Sequence, residues 1–166
     1  MIKLLVLDVD GCLTDGKIIY SSDGTESKNF NVKDGLAITS WIKLGGEVAI
    51  ITGRNSTIVE KRAKELGIQH LFQGVKDKAS LLFELLQKIG IKPFEVAAIG
   101  DDFNDYEMLS SVGRSFTPND ATADIQNLVD VVLKRKGGEG AVREMIDMVI
   151  EQNDQKEQFL SLWIKG

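Results

Sequence analysis

The chain has 166 residues, 43% hydrophobic and 27% charged, which fits one globular domain with a full core. A net charge of -5 argues against a broad nucleic-acid surface, which would need a basic excess, and no apolar run approaches a membrane span. One cysteine, Cys12, leaves no intrachain disulfide, and no basic-then-apolar leader precedes the first strand, so a cytoplasmic location is expected. From Leu4 to Leu7 the chain reads as a buried strand that runs into Asp8 and Asp10. Lys17 to Val32 interrupts the pattern and reads as a β-hairpin turning at Asp23–Gly24. A helix follows, ending at Gly45–Gly46, and a second buried strand closes on Thr52. Asn55 is placed to cap a helix carrying Ile58, Val59, Ala63 and Leu66. A short third strand lies around His70–Phe72, then a helix whose face is Leu81, Leu82, Leu85, Leu86 and Ile89. "EVAAIG" is a fourth strand, followed by a helix through "FNDYEMLSS" and short strands near Arg114–Phe116 and at "VDVVL". A last amphipathic helix carries Val142, Met145, Ile146, Val149 and Ile150, and the tail from residue 152 is polar until "FLSLWI". The tail is expected to leave the body and to dock its apolar end elsewhere, with Trp163 as its anchor. This alternation predicts a single α/β domain over 1–166, a doubly wound parallel sheet with one hairpin at 17–32.

Ligands of such sheets bind beyond the carboxyl ends of the strands, which is where the acids fall. Asp8 and Asp10, two apart, are expected to project together, and Gly11 lets the backbone turn closely past them. The fourth strand also ends on acids, Asp101, Asp102 and Asp105. Two carboxylates ~4 Å apart repel by ~4 kcal/mol at an effective dielectric near 20, so a third requires a cation. Hard oxygen donors with few others point to Mg²⁺, assisted by Lys78. Thr52 offers a hydroxyl beside backbone N–H groups at a helix start. Together these parts form a phosphoryl-transfer constellation.

In order, "DVDGCLTD", "TGR", the isolated Lys78 and "GDDFND" resemble the four motifs of haloacid dehalogenase-type phosphatases. With "LTDGKIIYSSDG", "FNVKDG", "ITGRNS", "VEKRAKELGI", "FQGVKDK" and "GGEGAVRE", the chain from about residue 3 to 148 resembles the phosphatases of 3-deoxy-D-manno-octulosonate 8-phosphate (KDO 8-phosphate). That resemblance implies a Mg²⁺-dependent phosphomonoesterase that forms an aspartyl-phosphate and releases KDO for lipopolysaccharide synthesis. It assigns Asp8 as nucleophile and Asp10 as the acid that protonates the leaving oxygen and then activates water, with neighbouring carboxylates crowding a proton onto it. It implies metal held by the Asp8 and Asp101 side chains and the Asp10 backbone carbonyl, with Asp105 holding the lysine or metal waters. Asp102 is either a helix cap or part of the metal shell. Thr52 and Lys78 steady the phosphoryl group, and the sugar acid is contacted by Asp10, Lys78, Asn31, Val32, Lys33, Asp34, Gly35, Arg54 and Arg62. An arginine fork suits its carboxylate.

A sister branch acting on a nine-carbon acid tends to carry an acid at the Arg54 position and a lysine near Glu65; neither occurs, which favours the eight-carbon acid. Thr39 stands where many members have an arginine. The alternatives are a phosphatase of a related sugar-acid phosphate or of broader range, and, outside catalysis, a phospho-accepting receiver or a silent regulatory domain. A receiver, however, places its acid on a third strand and its lysine after the hydroxyl on a late strand. Only 37 residues separate Thr14 from Thr52, and 22 separate Lys78 from Asp101, so no cap domain is inserted. A site without a cap needs a lid from a neighbour, and the resemblance implies a homotetramer joined through the hairpins, with the C-terminal tail able to reach a neighbouring site. "GGEGAVRE" is read as a flexible entry to the last helix, bordering the site. Cys12 is read as packing, His70 as packed near the sheet edge, and Trp41 as core or interface.

Overall fold

The apolar stretch Leu4–Leu7 forms β1, fully buried along its length, because it lies at the centre of a sheet covered on both faces. The computed structural model describes residues 1–166. After β1 the chain runs through a hairpin of β2 (Ile19–Tyr20) and β3 (Glu26–Ser27), α1 (Val32–Lys43), β4 (Glu47–Ile51), α2 (Thr57–Leu66), β5 (His70–Phe72) and α3 (Lys78–Ile89). It continues through β6 (Val96–Ile99), α4 (Tyr106–Ser110), β7 (Arg114–Thr117), α5 (Ala123–Leu128), β8 (Val131–Val132), α6 (Ala141–Gln152) and α7 (Lys156–Ser161). Six strands form one parallel sheet in the order β5-β4-β1-β6-β7-β8. The expected α/β class and parallel sheet are therefore present.

Successive side chains of β1 serve opposite faces. Leu5 and Leu7 join Ile38 and Trp41 of α1, Val59 of α2 and Met145 and Ile146 of α6 in one core. Leu4 and Val6 join Leu82 and Leu86 of α3, Met108 of α4 and Ile125 of α5 in the other. The short α5 is too brief to register as a periodicity in the sequence. From β1 the chain first winds outward through β4 to β5, then returns past β1 to β6 and winds the other way. The crevice at that reversal lies beyond the carboxyl ends of β1, β4 and β6, where acids and Thr52 were expected.

Three local readings change. Ser56, rather than Asn55, caps α2, its hydroxyl accepting from Ile58 N at 3.2 Å. The tail stays on the body: Phe159 is buried against the α6 core, and Trp163 Nε1 donates to Ser40 Oγ on α1 at 2.9 Å. Glycines 137 and 138 are a packed brace rather than a flexible entry. Gly138 N donates to Cys12 O at 3.1 Å, and a Cβ on Gly137 would collide with the backbone of Gly11 and Thr14.

The hairpin turns at Asp23–Gly24 as expected, with Asp23 Oδ1 accepting from Thr25 N and Gly24 at φ +85°. Ile18, Ile19 and Tyr20 remain exposed on it. His70 pairs with Glu47 at the edge of the sheet, 2.6 Å apart, and buried Trp41 donates to Glu47 O at 3.0 Å.

Candidate active site

At the end of β1 the backbone leaves the sheet in a wide π-type turn, Val9–Leu13, closed by Thr14 N donating to Val9 O at 3.0 Å. Asp8 stays anchored to β6 through its N–H on Ile99 O, 3.2 Å away. Asp10 belongs to the turn itself, so the two acids share a cavity through the turn rather than through strand alternation. Gly11 permits the turn at φ +92°, and a Cβ there would collide with the Asp101 carboxylate. Motif and acid thus meet at close quarters.

Asp8, Asp10, Thr52, Arg54, Asp101 and Asp102 line one cavity of about 270 Å³, together with Gly16, Gly53 and Asn104. Lys78 lies beneath it, at the first residue of α3, with a side chain 1% exposed. Its Nζ donates to Asp8 Oδ1 at 2.9 Å and to Asp105 Oδ1 at 2.6 Å. Burial opposes the charge on Lys78, but these two carboxylates outweigh it and hold the ammonium well above its usual range. Asp105, wholly buried, also accepts from Asp101 N at 2.9 Å through Oδ2, which fixes the loop bearing Asp101. Asp102 Oδ1 caps the short 3₁₀ turn at Phe103–Asp105, accepting from Phe103 N at 2.7 Å. Of its two expected roles, the cap is the one made here.

Burial and the neighbouring Asp105 charge push the Asp8 carboxyl well up, against Lys78, and lift Asp101 to about 7. One lysine therefore faces three clustered carboxylates, and the charge is left uncompensated within the protein. Asp8, Cys12 and Asp101 each offer one ligand atom within 4.8 Å of the others. Cys12 does not belong with the hard donors: burial pushes its thiol well up, the acids reinforce this, and its side chain packs in the α6 core. A hard, oxygen-seeking divalent cation suits what remains, the Asp8 and Asp101 carboxylates beside the backbone of the Asp10 turn.

The loop after β4 supplies the other half of the cavity. Thr52 N is used by Phe72 O, whereas the amides of Gly53 and Arg54 donate to no protein acceptor. Because α2 does not begin until Thr57, the amides left free beside Thr52 belong to this loop and not to a helix start. Arg54 reaches back to the hairpin, its Nη2 lying 3.3 Å from Tyr20 Oη and 3.5 Å from Glu26 Oε1.

A haloacid dehalogenase-like hydrolase model matches residues 70–146. The chain is 43% identical to 3-deoxy-D-manno-octulosonate 8-phosphate phosphatase KdsC of Yersinia pestis over 94% of its own length and 83% of that protein. The enzyme of that name from Haemophilus influenzae is 39% identical over 95% and 88%. The chain belongs to the KDO 8-phosphate phosphatase family. A crystal structure of the Moraxella catarrhalis family member, in complex with magnesium, phosphate and KDO, superposes with a TM-score of 0.95 at 40% identity, covering 98% of this chain and 94% of that one. The cobalt-bound Haemophilus influenzae phosphatase superposes at 0.88, with 39% identity and coverage of 93% and 91%.

Within this family framework the "NVKDG" residues and Arg62 stand apart from the acid-lined cavity. Asn31 caps α1 by accepting from Lys33 N, and its Nδ2 donates to Gly138 O. Val32 projects outward, 79% exposed, and Lys33 borders a separate groove with Arg135 and Arg143. Asp34 is 2% exposed and accepts from Arg143 N at 2.8 Å, so it ties α1 to α6 and does not face the cavity. Gly35 leaves room for the Arg62 guanidinium, which also lies 5.7 Å from the Phe30 ring centroid. These residues line no wall shared with Asp8.

Two features went unassigned. Asn104, inside the "GDDFND" motif, lines the cavity beside Asp102, and Lys28, outside the motifs, pairs with Asp10 at 2.6 Å. The i, i+2 spacing of Glu26 and Lys28, in β3 and directly after it, is the signal that could have exposed the latter. The carboxylate crowd expected around Asp10 surrounds Asp8 and Asp101 instead.

Proposed function

We propose that the protein is a Mg²⁺-dependent phosphomonoesterase that hydrolyses KDO 8-phosphate to KDO and phosphate, a cytoplasmic step of lipopolysaccharide synthesis. The observation that carries this reading is Asp8, held by buried Lys78 at the sheet's switch point beside Asp101, in a chain with close relatives of that named activity. In this reading the Asp8 and Asp101 carboxylates and the Asp10 backbone carbonyl hold Mg²⁺. When bound, the ion would supply the positive charge that lets the anionic phosphate approach these carboxylates.

The Asp8 carboxylate attacks phosphorus, and a new Asp8–phosphorus bond forms as the bond to the sugar oxygen breaks. Asp10 gives its proton to that oxygen, then takes one from the water that cleaves the aspartyl-phosphate. The Thr52 hydroxyl and the free amides of Gly53 and Arg54 cradle the phosphoryl oxygens. Lys78 neutralises Asp8 and Asp105 and keeps the nucleophile in line.

The sugar acid extends toward Arg54 and the hairpin. The open cavity and the exposed Ile18, Ile19, Tyr20 and Val32 support a homotetramer, in which Asn31, Val32, Lys33 and Arg62 reach the sugar across a subunit boundary while buried Asp34 and Gly35 hold α1 in place. Phosphate release from KDO 8-phosphate, assayed with and without a chelator, tests the reading. We expect turnover that falls at least about 100-fold on metal removal and returns with Mg²⁺. Equal hydrolysis of small phosphate esters would reject the specificity, and chelator-insensitive turnover the metal.

A further inference from the structure

We infer that Lys28, brought in by the hairpin, is the positioning residue that orients the Asp10 carboxyl toward the leaving-group oxygen. The inference deepens the proposed phosphatase reading, on which it rests. Lys28 follows directly after β3, and its side chain is 1% exposed, although it belongs to a hairpin whose other side chains are largely in solvent. A lysine withdrawn from water to that extent must be paired. Its Nζ lies 2.6 Å from Asp10 Oδ1 and 3.2 Å from Glu26 Oε1. Glu26 in turn lies 3.5 Å from Arg54 Nη2. The contacts Asp10–Lys28, Lys28–Glu26 and Glu26–Arg54 therefore join two walls of the cavity through the hairpin.

An aspartate at the mouth of a cavity has a freely turning carboxyl unless something holds it. Here Lys28 takes Oδ1, and no hydrogen bond engages Oδ2, which is left to the cavity that Asp10 lines. Proton transfer to a departing alkoxide demands an acid at hydrogen-bond distance and in line, so fixing one oxygen directs the other. Asp10 is the one cavity-lining residue that Lys28 touches, its other partner Glu26 lying outside the lining, so Lys28 acts through Asp10.

The leaving group provides the test. A sugar alkoxide needs the proton of Asp10 as its bond to phosphorus breaks, whereas p-nitrophenolate departs without one. The parameter kcat/KM covers steps only through alcohol release, before water attacks the aspartyl-phosphate. Lys28→Met keeps the length of the side chain and leaves Glu26 paired with Arg54, and circular dichroism and a thermal melt establish its folding.

We expect its kcat/KM for KDO 8-phosphate to fall roughly 30-fold or more, a share of the 10²–10⁴-fold that a placed acid provides. The value for p-nitrophenyl phosphate should move less than about 3-fold, and Lys28→Arg should recover most of the sugar-phosphate rate. Equal losses on both substrates, or no loss on either, overturn the assignment. Failure of the wild type on KDO 8-phosphate would instead reject the substrate. Lys28→Met is then compared with wild type on whichever sugar phosphate the wild type does hydrolyse and on p-nitrophenyl phosphate. A loss confined to the sugar phosphate supports the role of Lys28, and equal or absent losses overturn it.

Discussion

Asp8 and Asp34 are both buried acids, and their partners separate their roles. Asp8 faces Lys78 and a cavity; Asp34 faces a backbone amide and has one oxygen, Oδ2, with no hydrogen bond at all. Asp8→Asn keeps the size of the side chain but removes the proposed nucleophile, so steady-state phosphate release should drop roughly 10,000-fold or more with the fold unchanged. Asp34 gives a stability prediction. Burial lifts its carboxyl from 3.8 to about 6, against the Arg143 amide and the charges of Arg62 and Arg143. The native state thus holds this proton more tightly than the unfolded chain, and the associated stability is present in full below about pH 4 and lost as pH rises through 6. The loss is on the order of 3 kcal/mol. Denaturant titrations of wild type and Asp34→Asn at pH 4.5 and 7.5 check this: the difference between the two proteins should shift in favour of the variant at the higher pH. The sequence could not have revealed this role, since Asp34 at the start of an amphipathic helix has the pattern of an exposed acid. Its burial comes from α6, 109 positions away.

At the scale of elements, the four strand-to-loop junctions that carry the site were readable because burial and periodicity govern them locally. Apolar runs of β1, β4 and β6 end where acids or Thr52 begin, and those boundaries survive folding. Contacts between loops were not readable. The glycine pair at 137–138 has a flexible composition, yet its lack of side chains is what lets it lie directly on the turn that carries Asp10. Gly137→Ala would drive a methyl group into the carbonyl of Gly11. With backbone on the far side, the turn must move. We expect kcat to fall about 10- to 100-fold, since displacements near 1 Å at catalytic groups cost that much, while circular dichroism stays native. The Lys28–Asp10 pair was hidden for a similar reason. A hairpin two residues wide on each side shows its turn plainly and gives no sign of where it docks.

At the scale of the whole molecule, the sheet explains where the site is, and the surface explains what is missing from it. The single chain assembles the acids, Thr52 and Lys78 but leaves Val32 and the hairpin apolar residues in water and Arg62 outside the cavity. In the proposed homotetramer a second copy answers both. Sedimentation should therefore give an assembly larger than a monomer, and Ile18→Glu with Val32→Glu should shift it toward monomer and raise KM for the sugar phosphate. A monomeric wild type with full turnover would remove that part of the account. The chemistry itself is tested most directly by acid-quenching the Mg²⁺-loaded enzyme within milliseconds of mixing with KDO 8-phosphate, digesting with pepsin at low pH and locating phosphate by mass spectrometry. The account predicts one phosphoryl group on Asp8, gone in Asp8→Asn; phosphate on another residue, or efficient turnover with Asp8 never modified, would contradict it.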